Sequence, residues 1–168
     1  MSNSLIDTLS PLETAYVAGV IESKASINLM RHKKFVTPAI EFHHKNINYL
    51  HLVCQLLGGS VYIAKPPHRN KKWIIKGQLA IDILTAIKPY CIIFPPLIDI
   101  LIEYQTWYLN KPKFTGLAEV HQRQTIDSYI KKVKDFKANV EMANVSNRPE
   151  NYLHARTRKH FTGTATIR

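Results

Sequence analysis

The chain has 168 residues, with 23 Lys plus Arg against 12 Asp plus Glu and a formal net charge of +11. With 45% apolar and 21% charged residues it reads as a folding sequence sized for one domain, not a disordered one. Such a charge excess favours a polyanionic partner, nucleic acid before a membrane surface, and no apolar run approaches the roughly 20 residues of a spanning helix, so no membrane insertion is expected.

The first residues, "MSNSLIDTLSPLET", lack the basic and hydrophobic regions of a signal peptide and are not an Arg-rich import helix. Ser10-Pro11 followed by Glu13 reads as a helix start, because serine caps free backbone N–H groups and proline at the first helical position loses no bond. A helix is predicted from Pro11 to Lys24. In "SINLMRHKKFVTPAIEFHH" the apolar period shortens to two: Ile27 and Leu29 alternate with Asn28 and Met30, and Val36, Ile40 and Phe42 with Thr37, Glu41 and His43. That is a hairpin with one wet face.

"NINYLHLVCQLLGG" sets Ile47, Leu50, Val53, Cys54 and Leu57 at helical spacing, and Gly58-Gly59 ends the helix. A second hairpin follows in "SVYIAKPPHRNKKWIIKG", with a proline-rich basic loop, and "QLAIDILTAIKPY" returns to helical spacing. Pro95 and Pro96 separate it from the apolar helix "LIDILIEYQTWYL". A last amphipathic helix, "LAEVHQRQTIDSYIKKVKDFKANV", is expected to turn Val120, Ile126, Ile130, Val133 and Phe136 inward. Beyond Asn144 the pattern stops. The predicted organisation is one domain over 1–142 and a basic, extended tail over 143–168, disordered when alone.

In this αββαββα order, "YVAGVIESKAS" resembles the LAGLIDADG motif of homing endonucleases and intron maturases, in its single-motif form. The resemblance runs from about residue 11 to about residue 110. It implies an α+β fold in which a four-stranded antiparallel sheet forms a saddle, followed here by further C-terminal helices. Ala15, Gly19 and Ser23 recur every four residues with Ala18 beside them, a stripe small enough for another helix backbone to approach. These residues could equally pack on the chain's own sheet. The resemblance implies the other use: a dimer interface with a second copy, or with another such domain.

In that family the motif helix ends in an acid that holds a divalent cation at the scissile phosphate, since hard cations take anionic oxygen ligands. Laid on the motif, Glu22 takes the sixth position and Lys24 the eighth, the metal-binding one. An ammonium repels the metal. Glu22, about 200° around the helix from Lys24, is expected to cap or pair locally. Where several family members carry a basic residue after the third helix, this chain has Ile92, Ile93 and Phe94. The expectation is a degenerate endonuclease: no enzyme, no catalytic residues, no cofactor.

The binding surface is less altered. Contacts to nucleic acid are expected from Asn28, His32, Lys34 and His43 on the wet side of the first hairpin and from Lys45 just beyond it. Arg69 and Lys71 in the basic loop region, Lys72 and Lys76 on the fourth strand, and Arg156, Arg158 and Lys159 in the tail complete the set. In the tail, Tyr152 and Phe161 interleave with the cations, a composition suited to stacking on bases and pairing with phosphates. Met30, Glu41 and Ala64 are poor base readers, which argues against sequence-specific recognition of a duplex. His43, His44 and His51 lack a Cys or carboxylate to complete a metal site, so no metal is expected. Cys54 and Cys91 sit in apolar surroundings as small core residues of a reducing compartment.

The function expected is that of a catalytically inactive, structural RNA-binding component of an organellar ribosome, mitochondrial or other, or of another ribonucleoprotein. Its partner would be structured RNA, ribosomal RNA first, with DNA behind it. The alternatives are a group I intron maturase, an active site-specific DNA homing endonuclease, and a module that binds only protein.

Overall fold

A computed structural model describes residues 5–32, 35–64, 70–111 and 117–146. A capping box starts the first helix: Ser10 Oγ accepts the Glu13 N–H at 3.4 Å and the Glu13 carboxylate accepts the Ser10 N–H at 2.8 Å. The bonds from Ser10 hold the Glu13 carboxyl below its ordinary pKa. Helix α1 (Pro11–Lys24) has the predicted limits and ends where Ala25 turns extended, at φ −88° and ψ 154°. No loop intervenes before strand β1 (Ala25–His32).

The order continues through β2 (Phe35–His43), α2 (Ile47–Leu57), β3 (Ser60–Ile63), β4 (Lys71–Lys76), α3 (Gln78–Ile87), α4 (Pro95–Asn110) and α5 (Leu117–Ser146). The strands form one antiparallel sheet in the order β1-β2-β4-β3. This is the predicted α+β arrangement, with αββαββα followed by two more helices.

Two local features fix the sheet. Pro38 lies in the central strand β2, where a missing N–H ordinarily breaks the ladder. Here β4 ends at Lys76, one residue before the position facing Pro38. Gly77 then donates its N–H to the Pro38 carbonyl at 2.9 Å, while its own carbonyl accepts from Ile81 in the first turn of α3. The proline therefore removes a donor that has no acceptor waiting. At the other end, Gly59 has φ +89°, and a Cβ there would stand 2.7 Å from the Ile74 carbonyl oxygen and 2.9 Å from Trp73 Nε1. The chain crosses so closely because Trp73 is buried and donates its indole N–H to the Gly58 carbonyl at 2.7 Å.

The core lies between the helices and one face of the sheet. Ile27, Ile40, Trp73 and Ile75 of the strands meet Leu50, Ile83, Leu84, Ile87, Leu97 and Leu101 of the helices, all buried. Tyr104 joins them, donating its hydroxyl to the Val36 carbonyl at 2.7 Å; burial raises its pKa well above that of a free tyrosine. Cys54 and Cys91 are both free thiols and half-buried.

One compact unit spans Met1–Val133 and a second Lys134–Arg168. The sequence pattern puts the domain end at 142, but α5 continues to Ser146, so the first four residues of the expected tail are helical. Residues 147–168 lie outside the described residues. Within the first unit α5 buries Ile126, Tyr129 and Val133, whereas Val120, expected inside, is exposed. Tyr129 takes the inner position because its hydroxyl reaches Glu103 Oε1 at 2.8 Å, which lets a polar residue be buried without an orphaned donor. Burial and that bond push its pKa up to about 12.

Candidate nucleic-acid interface

Among the described residues, alternation along the strands leaves the second face of the sheet without helices. Register places Asn28 opposite Ala39, Met30 opposite Thr37, Glu41 opposite Ile74, His43 opposite Lys72, and Lys76 opposite Ala39 on its other side. Tyr62 of β3 faces Lys72 across the next pair. Asn28, Met30, Thr37, Glu41, His43, Lys72 and Lys76 thus share the open face, as the period-two pattern requires. His32 takes the corresponding register position of β1, opposite Phe35. Lys34, Arg69, Arg156, Arg158 and Lys159 lie outside the described residues.

The open face carries a carboxylate at its centre, and neighbouring cations offset it. Glu41, its side chain 15% exposed, accepts from Lys72 Nζ at 3.2 Å and stands 3.7 Å from His43 Nε2. Repulsion of a phosphate backbone by Glu41 is offset at its source. On β1, Asn28 Nδ2 donates to Ser26 Oγ at 2.7 Å, which orients the amide on the same face.

Lys71 belongs elsewhere. Being next to Lys72 in β4 it points to the opposite side, and its ammonium donates to the Lys45 carbonyl at 3.3 Å. Lys71, Lys45, Asn70, His43 and His44 line an open polar notch at the end of the sheet. His44 turns away from His43, its ring 4.7 Å from that of Tyr49 and 5.9 Å from that of Phe42. Among the described residues no group of three His, Cys, Asp or Glu side chains could hold a metal ion.

Lys24 is the exposed last residue of α1. Glu22, expected to pair locally, instead spans 70 residues of sequence. Its Oε1 accepts the backbone N–H groups of Ile92, Ile93 and Phe94 at 3.0, 2.5 and 2.9 Å, and its Oε2 that of Ile92 at 3.1 Å. The reason lies in the start of α4. Phe94 at its N-cap has no side-chain oxygen, and the helix opens on Pro95 and Pro96, so the preceding N–H groups need an acceptor from elsewhere. The missing capping residue before Pro95 is the sequence signal for this contact. The carboxylate, with burial, raises the nearby Cys91 thiol to a pKa of about 11, burial being the larger cause. A divalent cation does not fit this helix tip: one side chain is a cation and the other carboxylate is committed to three backbone donors.

The four small residues of α1 divide. Ala18 is fully buried with Thr14 and Ile21, on the chain's own core, so it takes no part in an exposed stripe. Ala15 is half-buried, and Gly19 and Ser23 are exposed. A Cβ on Gly19 would meet nothing within 4 Å. Leu12 and Tyr16, on the same outer side, are 81% and 68% exposed. With Leu52 and Leu56 of α2 they border apolar grooves between the two helices.

Four antiparallel strands, backed by helices on one face and entered directly from α1, match the fold of homing endonucleases. The chain is similar to the homing endonuclease I-CvuI solved with the I-CreI target DNA, at TM-score 0.51 and 16% identity over 73% of this chain and 95% of that one. It is also similar to the archaeal intron-encoded homing endonuclease I-Vdi141I in complex with DNA, at TM-score 0.57 and 14% identity over 74% and 84% of the two chains. At such identities the likeness is one of fold. No family model and no curated protein matches the sequence.

Proposed function

We propose that this protein binds nucleic acid through the open face of its sheet and does not cut it. The single observation that carries the reading is the α1 tip: Lys24 stands at its end and the Glu22 carboxylate is engaged by three backbone N–H groups. Two-metal cleavage of a phosphodiester needs anionic oxygens free to ligate. The open face retains His43, Lys72 and Lys76, with Glu41 offset, and a net charge of +11 stands behind it. The similar I-CvuI and I-Vdi141I structures contain DNA. For this chain we favour structured RNA, ribosomal RNA first, in an organellar and specifically mitochondrial ribonucleoprotein. The Arg-, Lys- and aromatic-containing C-terminal segment is a composition suited to RNA grooves. Pairing with a second copy or a like domain would use Leu12, Tyr16, Gly19 and Ser23 of α1.

The test is to crosslink the protein to nucleic acid in the cell and sequence what is attached. A discrete footprint on ribosomal RNA is the expected result; an intron footprint would make it a maturase. A DNA target, together with chelator-sensitive nicking of that duplex by the purified protein, would make it an endonuclease and overturn the proposal.

A further inference from the structure

Two aromatic rings stand on the side of the sheet that folding does not use. Phe35 alternates with the buried Val36 and shares its face of β2 with Thr37, Glu41 and His43, and Tyr62 lies directly across from Lys72, so both rings belong to the open face. Phe35 is 64% exposed and Tyr62 55%, and neither has a hydrogen-bond or ring partner among the described residues. Burial of such a ring is ordinarily one of the larger apolar gains in a fold. Here it is forgone twice on one surface.

The neighbours of the rings indicate what covers them. Tyr62, Lys72 and His43 form one row across β3, β4 and β2, and Lys76 is exposed further along β4. The carboxylate on this face, Glu41, is offset by Lys72 at 3.2 Å. A polyanion with flat apolar surfaces complements both the cations and the rings. The same face is poorly equipped to read base edges in a groove: Lys72 is bonded to Glu41, Asn28 Nδ2 to Ser26 Oγ, and Met30 and Ile74 offer no hydrogen bond. A duplex presents edges and phosphates, whereas an unpaired strand presents the base faces on which rings stack. Phe35 opens β2 and His43, in the row of Tyr62, closes it, so the rings stand about 27 Å apart along the strand direction, room for several nucleotides. We infer that the open face takes an unpaired stretch of RNA, with bases stacked on Phe35 at one end and on Tyr62 at the other.

The stacking rests on the nucleic-acid binding proposed above, and the experiment separates the two. The probes are a short RNA without self-complementarity, carrying 2-aminopurine, and the same RNA annealed to its complement. The full-length wild-type protein binds the single strand more tightly and quenches its fluorescence. Tyr62→Ala and Phe35→Ala each lower that affinity about tenfold, the loss of one stacked base, and leave the slope of log affinity against log salt unchanged because no phosphate contact is removed. Tyr62→Phe keeps the wild-type affinity, since the ring and not the hydroxyl makes the contact. Both positions are exposed, so urea unfolding of the variants stays close to that of the wild type.

Equal affinity of the wild type for single strand and duplex overturns the inference while leaving nucleic-acid binding in place. So does wild-type affinity for the single strand in either alanine variant. A changed oligomeric state of those variants in sedimentation, with RNA affinity unaltered, also overturns it, in favour of a protein occupant. Failure of the wild type to bind either probe overturns the proposed function itself.

Discussion

On one side of the sheet Ile27, Ile40, Trp73 and Ile75 are sealed under helices, and on the other Asn28, Glu41, His43, Lys72 and Lys76 face outward. The same strands supply both, alternating residue by residue. On the sealed side volume and shape decide what is accepted, because interiors are close-packed. On the open side most substitutions cost little stability, so the residues found there answer to chemistry. Lys72 and Trp73 are adjacent in sequence and belong to these two regimes.

Substituting those neighbours is the sharpest way to break the contrast. Trp73→Ala removes a fully buried indole and is expected to cost about 3–5 kcal/mol in urea unfolding, whereas Lys72→Ala, which loses one part-exposed ion pair, should stay within about 1 kcal/mol. Similar losses for both would mean that the open face is structural. The converse measurement is the salt dependence of RNA binding. Removing Lys72 and Lys76 together should weaken binding and reduce the slope of log affinity against log salt by about 1.5, with no matching loss of stability.

Alkaline pH probes the buried side through Tyr129. Tyr129 ionises near pH 12 in the folded chain, above the value of an unfolded tyrosine. The unfolded chain therefore releases its proton first, and the stability Tyr129 contributes is complete below pH 10 and lost as pH rises toward 12. Tyr129→Phe should show a shallower fall over that window in alkaline unfolding. The smallest effect is expected at Ser10, distant from both faces. Ser10→Ala loses the α1 cap, costs about 1 kcal/mol in thermal unfolding, and leaves RNA binding unchanged. Glu13 adds a pH signature: its carboxyl is held below the ordinary value, so its contribution is present above that value and disappears on acidification.

Much of the fold is legible in the sequence because its signals are local. Ser10, Pro11 and Glu13 mark the start of α1, Gly58-Gly59 the end of α2, and the period-two alternation of 27–30 and 36–43 separates the two sheet faces. What stays hidden depends on partners remote in sequence. Glu22 reads as a locally pairing acid until the backbone of 92–94 is brought to it. Tyr129 reads as polar until Glu103 satisfies its hydroxyl, and Val120, apolar and in register, turns outward. Ala18 and Gly19 are neighbours in the chain, but a single helical step puts one in the core and the other in the open. The open-face cations were recoverable from alternation. That Lys71 turns from Lys72 toward Lys45 follows from the same rule, but its acceptor does not.

The splice of Pro38, Gly77 and Ile81 also governs how the second hairpin can assemble. In the native register Pro38 faces Gly77, whose carbonyl α3 satisfies; if β4 slid by one pair along β2, Pro38 would face instead a strand carbonyl that no helix N–H reaches, and that carbonyl would go unmatched. The strand can therefore dock at one offset only. A proline that looks like a flaw in a central strand acts as a stop that keeps the lysines of β4 level with the histidine and glutamate of β2.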